Sequence, residues 1–200
     1  MRAFLRDGVR ESIRHRFVAM PREGAGREAG PSAATIDTRG VKTTGSGGPR
    51  GWDAAKRLKG RKRHVAVDTD GPPLGVVVHA AGIQDADGLG DPLKRLEPLH
   101  PWLRAVSADS IHNRLAAPLA CFLAGPALII VRRAAGATGF VVQPRRWSVE
   151  RSLGWFGRWR RLSKDHEALP EVSEAMVTPA MIRLMLHRLA HPNRRRLPAP

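Results

Sequence analysis

The sequence predicts an α/β domain, a strand-rich sheet with helices packed around it, and three observations predict that class. Two β-branched runs in "HVAVDTDGPPLGVVVHAAG" flank Asp70 and Gly71, which reads as a hairpin with a lengthened loop. Shorter strand-like runs, "AATIDTRGV", "LRAVSADS" and "PALIIVRR", are separated by stretches of helical spacing. A hairpin-bearing sheet followed by alternating helices and strands belongs to an α/β architecture, not to a helical bundle.

The elements follow in order. Residues 1–31 read as a short basic helix, with Val9, Ile13 and Phe17 at helical spacing, then the loop "PREGAGREAGP". This stretch is expected to be a peripheral arm. "AATIDTRGV" is a strand holding Asp37. "TTGSGGPRGWDAAKRLKGRKR" is too Gly-rich and too basic to enter a core, so an exposed loop is expected there. The hairpin follows. From Gln84 to Leu99 an Asp-rich opening and leucines at 89, 93 and 96 predict an amphipathic helix whose first turn favours acids. "LRAVSADS" returns to strand and ends at Asp109. A helix over 112–124 and the strand "PALIIVRR" come next. "RRWSVERSLGWFGRWRRL" and "EAMVTPAMIRLMLHRLA" supply two closing helices.

Composition narrows the partners. A chain of 200 residues holds one sizeable core. Its 34 Lys and Arg against 18 Asp and Glu give a net charge of +16, which points to a polyanion, with nucleic acid ahead of an acidic membrane surface. Cys121 is the only cysteine, so an intrachain disulfide and a Cys-based zinc site are excluded; within "LAAPLACFLAG" it reads as a buried structural thiol. The N-terminus lacks an apolar stretch of signal-peptide length, so export is not expected. The apolar stretch 115–131 is divided by Pro118 and by Gly125 and Pro126, so no membrane span is expected.

Three acids stand out by position. Asp37 lies in or at the end of the first strand, Asp109 ends a later strand, and Glu150 sits within the basic segment 145–162. Such placements can converge at one edge of a sheet. Carboxylates brought together repel one another, and a hard divalent cation such as Mg²⁺ or Mn²⁺ relieves the repulsion. Two such ions suit phosphodiester cleavage or strand transfer. Arg146, Gly154 and Gly157 share the helix face of Glu150, while Val149, Leu153, Phe156 and Leu162 form an adjoining apolar stripe. From spacing alone, Glu150 reads first as a surface partner of Arg146 or Arg151 on a solvated helix, ahead of a metal ligand.

Several of these segments carry a family resemblance. "IDTRGVKTTGSGGPRGWDAAKRLKGRKRHVAVDTDG", "VVVHAAGIQDADG" and "GFVVQPRRWSVERSLGWFGRWRRLSKDHEALPEVSEAM" resemble the catalytic region of IS5-type (IS4 superfamily) DDE transposases, over roughly residues 25–190. The resemblance implies an RNase H-like fold and cut-and-paste DNA transposition with two divalent ions, Mg²⁺ or Mn²⁺. Carried over by position, it places the family's acids on Asp37, Asp109 and Glu150, which would be the catalytic metal ligands, and its arginine on Arg146. It also implies double-stranded DNA with transposon ends as partner, a homodimer when active, and a cytoplasmic, nucleoid-associated protein.

The chain departs from the family in three places. "ADSIHNRL" replaces the usual Gly-Gly-Tyr type turn after the second aspartate, Gly157 stands where the wider superfamily often has lysine, and about thirty residues precede the catalytic part where relatives carry a longer helical region. The expectation is therefore a truncated copy with 1–31 as a remnant arm, 32–190 as the catalytic domain and 191–200 as a basic Pro- and Arg-rich tail. A truncated, inactive DNA-binding remnant is the alternative to an active enzyme.

The basic residues expected to hold DNA phosphates are Lys42, Arg50, Lys56, Lys59, Arg61, Lys62, Arg63, Arg151, Arg158 and Lys164, with Arg160 and Arg161 also available. The tryptophans at 52, 147, 155 and 159 are read as core before base-stacking platforms. "QDADGLGD" lacks EF-hand spacing and is read as helix capping, and "GSGGPRG" lacks the Lys-Ser/Thr of a P-loop. His64 and His79 flank the hairpin and are read as structural.

Overall fold

The computed structural model describes residues 9–110, 126–131 and 146–191. In chain order these hold α1 (Val9–Glu23), β1 (Ala33–Lys42), β2 (Gly51–Asp53), β3 (Leu58–Asp68), β4 (Pro73–Ala80), a 3₁₀ turn (Asp87–Leu89), α2 (Gly90–Leu99), β5 (Ala105–Asp109), β6 (Ala127–Val131), α3 (Arg146–Gly157), α4 (Arg160–Ser163) and α5 (Pro170–Ala190). The helix expected over 112–124, with Cys121, lies outside the described residues, as does the tail beyond His191.

The strands form one mixed sheet. β3 pairs antiparallel with β1 on one side and with β2 and β4 on the other, while β1, β5 and β6 run parallel. An antiparallel meander leading into parallel strands, with helices on both faces, is the RNase H-like mixed α/β arrangement. Side chains alternate between the faces. Val65 and Val67 of β3 and Val76 and Val78 of β4 pack with Val149, Leu153 and Phe156 of α3 and with Val177, Met181 and Met185 of α5. On the opposite face Ala34, Ile36, Ala66, Leu74, Val106 and Ala108 meet Leu89, Leu93, Leu96 and Val18. The leucines expected to line the helix after Gln84 are thus buried as their spacing implies.

The hairpin is present. Gly71 turns the chain between β3 and β4 at φ +91°, donating its N–H to the Asp68 carbonyl at 2.8 Å. A Cβ there would stand 2.8 Å from Oγ of Ser152, so both conformation and space call for glycine.

Two expectations are corrected. α1 is not a peripheral arm: Val18 is 1% exposed within the core, and Arg22 is buried against Asp68, donating to both carboxylate oxygens at 2.8 Å. Arg22 also donates from Nε to the Glu28 carbonyl at 2.7 Å, which folds the following loop back onto the helix. The basic stretch after Lys42 is also not a loop throughout. β2 and the first half of β3 lie within it, and Arg61, Lys62 and Arg63 are buried. Their charges are met internally, so the sheet takes them in. Arg61 donates to the carbonyls of Pro49, Glu167 and Ala168 at 2.7, 2.8 and 2.7 Å and pairs with the fully buried Asp165 at 3.2 Å. Arg63 donates to the Leu162 carbonyl at 2.6 Å. Lys62 lies 3.0 Å from Asp53 and 2.8 Å from Asp85. Burial by itself would lower the Lys62 ammonium, but the two carboxylates outweigh it and hold its pKa above the ordinary value.

Candidate active site

Asp37 and Asp109 occupy matching levels of neighbouring parallel strands. Thr35 of β1 pairs with Ser107 of β5, and each aspartate lies two residues further on and on the same face, the one covered by α3. Each is oriented by the residue after it. The Thr38 N–H donates to Oδ1 of Asp37 at 2.7 Å, and the Ser110 N–H donates to Oδ1 of Asp109 at 2.6 Å.

Glu150 arrives from α3, which three contacts hold to the sheet besides its apolar face. Ser152 Oγ donates to the Gly71 carbonyl at 2.7 Å, Arg151 Nη2 donates to the Asp70 carbonyl at 2.7 Å, and Arg39 Nη1 donates to the Leu153 carbonyl at 2.9 Å. The first turn of α3 therefore overhangs the two aspartates.

Arg146 lies among all three acids. Its guanidinium is 3.1 Å from Asp109 Oδ2, 3.6 Å from Asp37 Oδ2 and 3.8 Å from Glu150 Oε1. The Arg146 side chain is 16% exposed, against 20%, 29% and 48% for Asp37, Asp109 and Glu150. Among the described residues, the Arg146 guanidinium is the cation seen to face these three carboxylates, in a partly desolvated setting where the attraction is stronger than on an open surface. A groove of about 490 Å³, lined in part by Thr35, Ser107, Trp147 and Ser148, runs beside them.

The donor chemistry suits a hard divalent cation, since three carboxylates face one point of positive charge. Their present spacing is wider than a metal shell: among the described residues no three His, Cys, Asp or Glu side chains are gathered to hold a metal ion. The three expected ligands meet through a guanidinium and not through one another.

The expected phosphate-binding residues divide into two groups. Lys42, Arg50, Lys59, Arg158 and Lys164 are exposed, as are Arg160 and Arg161, although Arg161 pairs with Glu167 at 2.9 Å. Lys56 is exposed as well and pairs with Asp85 at 2.7 Å. Arg61, Lys62 and Arg63 are buried on internal partners, which corrects their reading as phosphate contacts. Arg151 lies over the rings of Trp147 and Trp155, at 4.1 and 4.9 Å from the ring centroids, and Arg188 covers the Trp155 ring at 4.0 Å. Trp155 and Trp159 pack against the core, whereas Trp52 and Trp147 are 57% and 44% exposed.

The histidines flanking the hairpin join each other across the sheet. Nε2 of His64 and His79 are 2.6 Å apart, Thr38 Oγ1 lies 2.8 Å from Nδ1 of His64, and Nδ1 of His79 lies 2.9 Å from the Ala80 carbonyl. One assignment of protons satisfies the chain: Nδ1–H of His79 donates to the carbonyl, leaving its Nε2 to accept from His64. Asp165 escaped the sequence reading altogether. It accepts from Ser173 Oγ at 2.7 Å besides facing Arg61, and its only sequence signal was an acid inside a basic run.

An RNase H-like sheet that presents two aspartates to a helix-borne glutamate defines the class as a domain with an acidic centre on one sheet face. A family model described as "Transposase DDE domain" matches residues 28–185. The chain belongs to that transposase DDE domain family. Among solved structures it is similar to a chain of the crystal structure of the Mos1 strand transfer complex, at 12% identity and a TM-score of 0.31, over 92% of this chain. The chain spans 62% of that neighbour's length. No curated protein matches it. Among the described residues no helix is long and apolar enough to cross a membrane.

Proposed function

We propose that the chain is the catalytic region of an IS5-type transposase, which cleaves DNA at transposon ends and transfers the freed 3′ ends in a metal-dependent reaction. The convergence of Asp37, Asp109 and Glu150 on Arg146 carries this reading. Membership of the transposase DDE domain family supports it.

The three carboxylates would hold the two Mg²⁺ or Mn²⁺ ions. When bound, these ions activate the attacking hydroxyl and stabilise the leaving oxygen. The chain's own residues set the geometry. The N–H groups of Thr38 and Ser110 hold Asp37 and Asp109 by Oδ1, which directs Oδ2 of each toward the centre. The contacts of α3 with the hairpin turn fix the height of Glu150 over them. Arg146 offsets the acids' repulsion and can turn toward a phosphate once other cations take over that role. Lys42, Arg50, Lys59, Arg158 and Lys164 supply exposed charge for the backbone of double-stranded DNA. Two protomers would bring two ends together, acting at the nucleoid.

The spacing of the acids around a guanidinium favours a second reading, a DNA-binding relative that no longer cuts. Incubation with end-bearing DNA and Mn²⁺ separates the two. Nicking by the wild type that vanishes in Asp37→Asn and Asp109→Asn, with DNA binding kept, supports the enzyme. Binding with no metal-dependent nicking in any of the three supports the second reading.

A further inference from the structure

Arg39 follows Asp37 by two residues on β1, so it emerges on the same face of the sheet. It is exposed, yet it does not hang free in water: Nη1 is fixed on the Leu153 carbonyl of α3 at 2.9 Å. The rest of the guanidinium lies along the end of the helix, where a Cβ on Gly157 would come 3.8 Å from Nη2. Glycine at 157 leaves that edge open to a visitor from solvent.

On its β3 side Arg39 faces an excess of positive charge. Its partner across the ladder is Arg63, and Arg61 lies two residues from Arg63 on the same strand face. Both are buried, and the carboxylate they face, Asp165, is also engaged by Ser173. Burial pushes the Arg63 guanidinium below its ordinary pKa; Asp165 opposes this, and Arg39 and Arg61 add to it more weakly. Among the described residues no carboxylate pairs with Arg39. Arg158, the residue after Gly157, is exposed as well. A guanidinium has five N–H donors in a rigid fork, and one anchored at a single nitrogen keeps the others aimed outward with little left to order on binding.

We infer that Arg39 is a DNA phosphate contact, a pre-set guanidinium that seats the strand backbone between the acidic centre and the end of α3. It rests on the reading of the chain as DNA-binding. The contact is to the backbone, so it adds affinity uniformly across sequences and positions the strand without reading bases.

The test uses the full chain, a fluorescein-labelled duplex of arbitrary sequence and anisotropy measured across a salt series. Arg39→Gln keeps a donor for Leu153 but removes the charge. Gly157→Asp leaves Arg39 in place and sets a carboxylate against Nη2. Lys94→Gln, an exposed site on α2 at the opposite face, removes the same charge elsewhere. Arg39→Gln and Gly157→Asp are expected to bind several-fold more weakly and to flatten the plot of log K against log salt by about one. Lys94→Gln is expected to follow the wild type. A folded Arg39→Gln with wild-type affinity and slope overturns the role of Arg39, and if Arg39→Gln loses its fold, wild-type behaviour of Gly157→Asp does so instead. A wild type that shows no salt-dependent binding removes the DNA reading and this inference together, an outcome distinct from the other two.

Discussion

Nη1 of Arg146 lies 3.1 Å from Oδ2 of Asp109, and through that contact a residue at the start of α3 reaches a strand end almost forty positions earlier in the chain. The same guanidinium approaches Asp37 and Glu150, so it supplies to the acids a positive charge that a divalent ion would otherwise supply. A cation bound to the acids must compete with it. Arg146→Gln is therefore expected to bind Mn²⁺ more tightly than the wild type in the absence of DNA, on the order of tenfold, or about 1.4 kcal/mol. Titration followed by the electron paramagnetic resonance of free Mn²⁺ reads this directly, and equal or weaker binding by the variant counts against the competition.

The Arg61–Asp165 pair is predicted to be a principal tie between β3 and the segment leading into α5. Both side chains are fully buried, so removing one strands the other. Asp165→Ala is expected to lose about 3 to 5 kcal/mol. Arg61→Lys should lose nearly as much, because one ammonium cannot serve the carbonyls of Pro49, Glu167 and Ala168 as well as the carboxylate. Urea midpoints test this, and a change under 1 kcal/mol in both variants, roughly the size of a surface pair, would contradict it.

His100 gives the fold an acid limit. Burial pushes its imidazole down to about 4 and so holds the ring neutral, although the bond from Nε2–H to the Leu74 carbonyl at 3.2 Å pulls the other way. The unfolded chain binds a proton at this residue near pH 6.5 and the folded chain only near 4, so its contribution is complete above about 6.5 and falls as the pH drops toward 4. The loss across that window is about 3 kcal/mol for this residue. His100→Asn keeps a donor for Leu74 without titrating there. The gap in stability between wild type and variant should shift against the wild type on acidification, and parallel pH profiles would refute the assignment.

Gly71→Ala forces a side chain into φ +91° and against Ser152 Oγ. The expected cost is about 1 to 3 kcal/mol from the backbone alone. The same change should disturb Glu150, because Ser152 anchors α3 at this turn. Reduced Mn²⁺ affinity alongside the lower melting temperature is the signature. A melting temperature that falls with metal affinity intact would confine the effect to folding.

Much of the sheet was legible because its apolar strands alternate or run in β-branched blocks, as in "HVAVD" and "GVVVHA". Glu150 was legible as one acid within a basic segment, and the convergence of the three acids followed from strand ends together with the family motif. The first half of β3 was not legible, since "KGRKRH" reads as solvated charge under any rule that equates charge with exposure. Its neutralising partner Asp165 lies about a hundred residues away, and Asp85 approaches Lys62 only after the hairpin has formed. The core role of α1 was hidden for the same reason: the carboxylate that receives Arg22 belongs to the far end of β3. Long-range ionic pairing leaves no periodic trace in one sequence, whereas apolar packing does.

The burial of Arg22 on Asp68 separates two boundaries that are easily taken as one. Family likeness starts at residue 28, but the packed interior starts earlier, with the turns of α1 that carry Val18 and Arg22. Trimming to the matched span would leave the buried Asp68 without its guanidinium, with only Thr69 still donating to it, and uncover a seam of the core. Any expression of the domain alone has to keep this helix as part of the foundation.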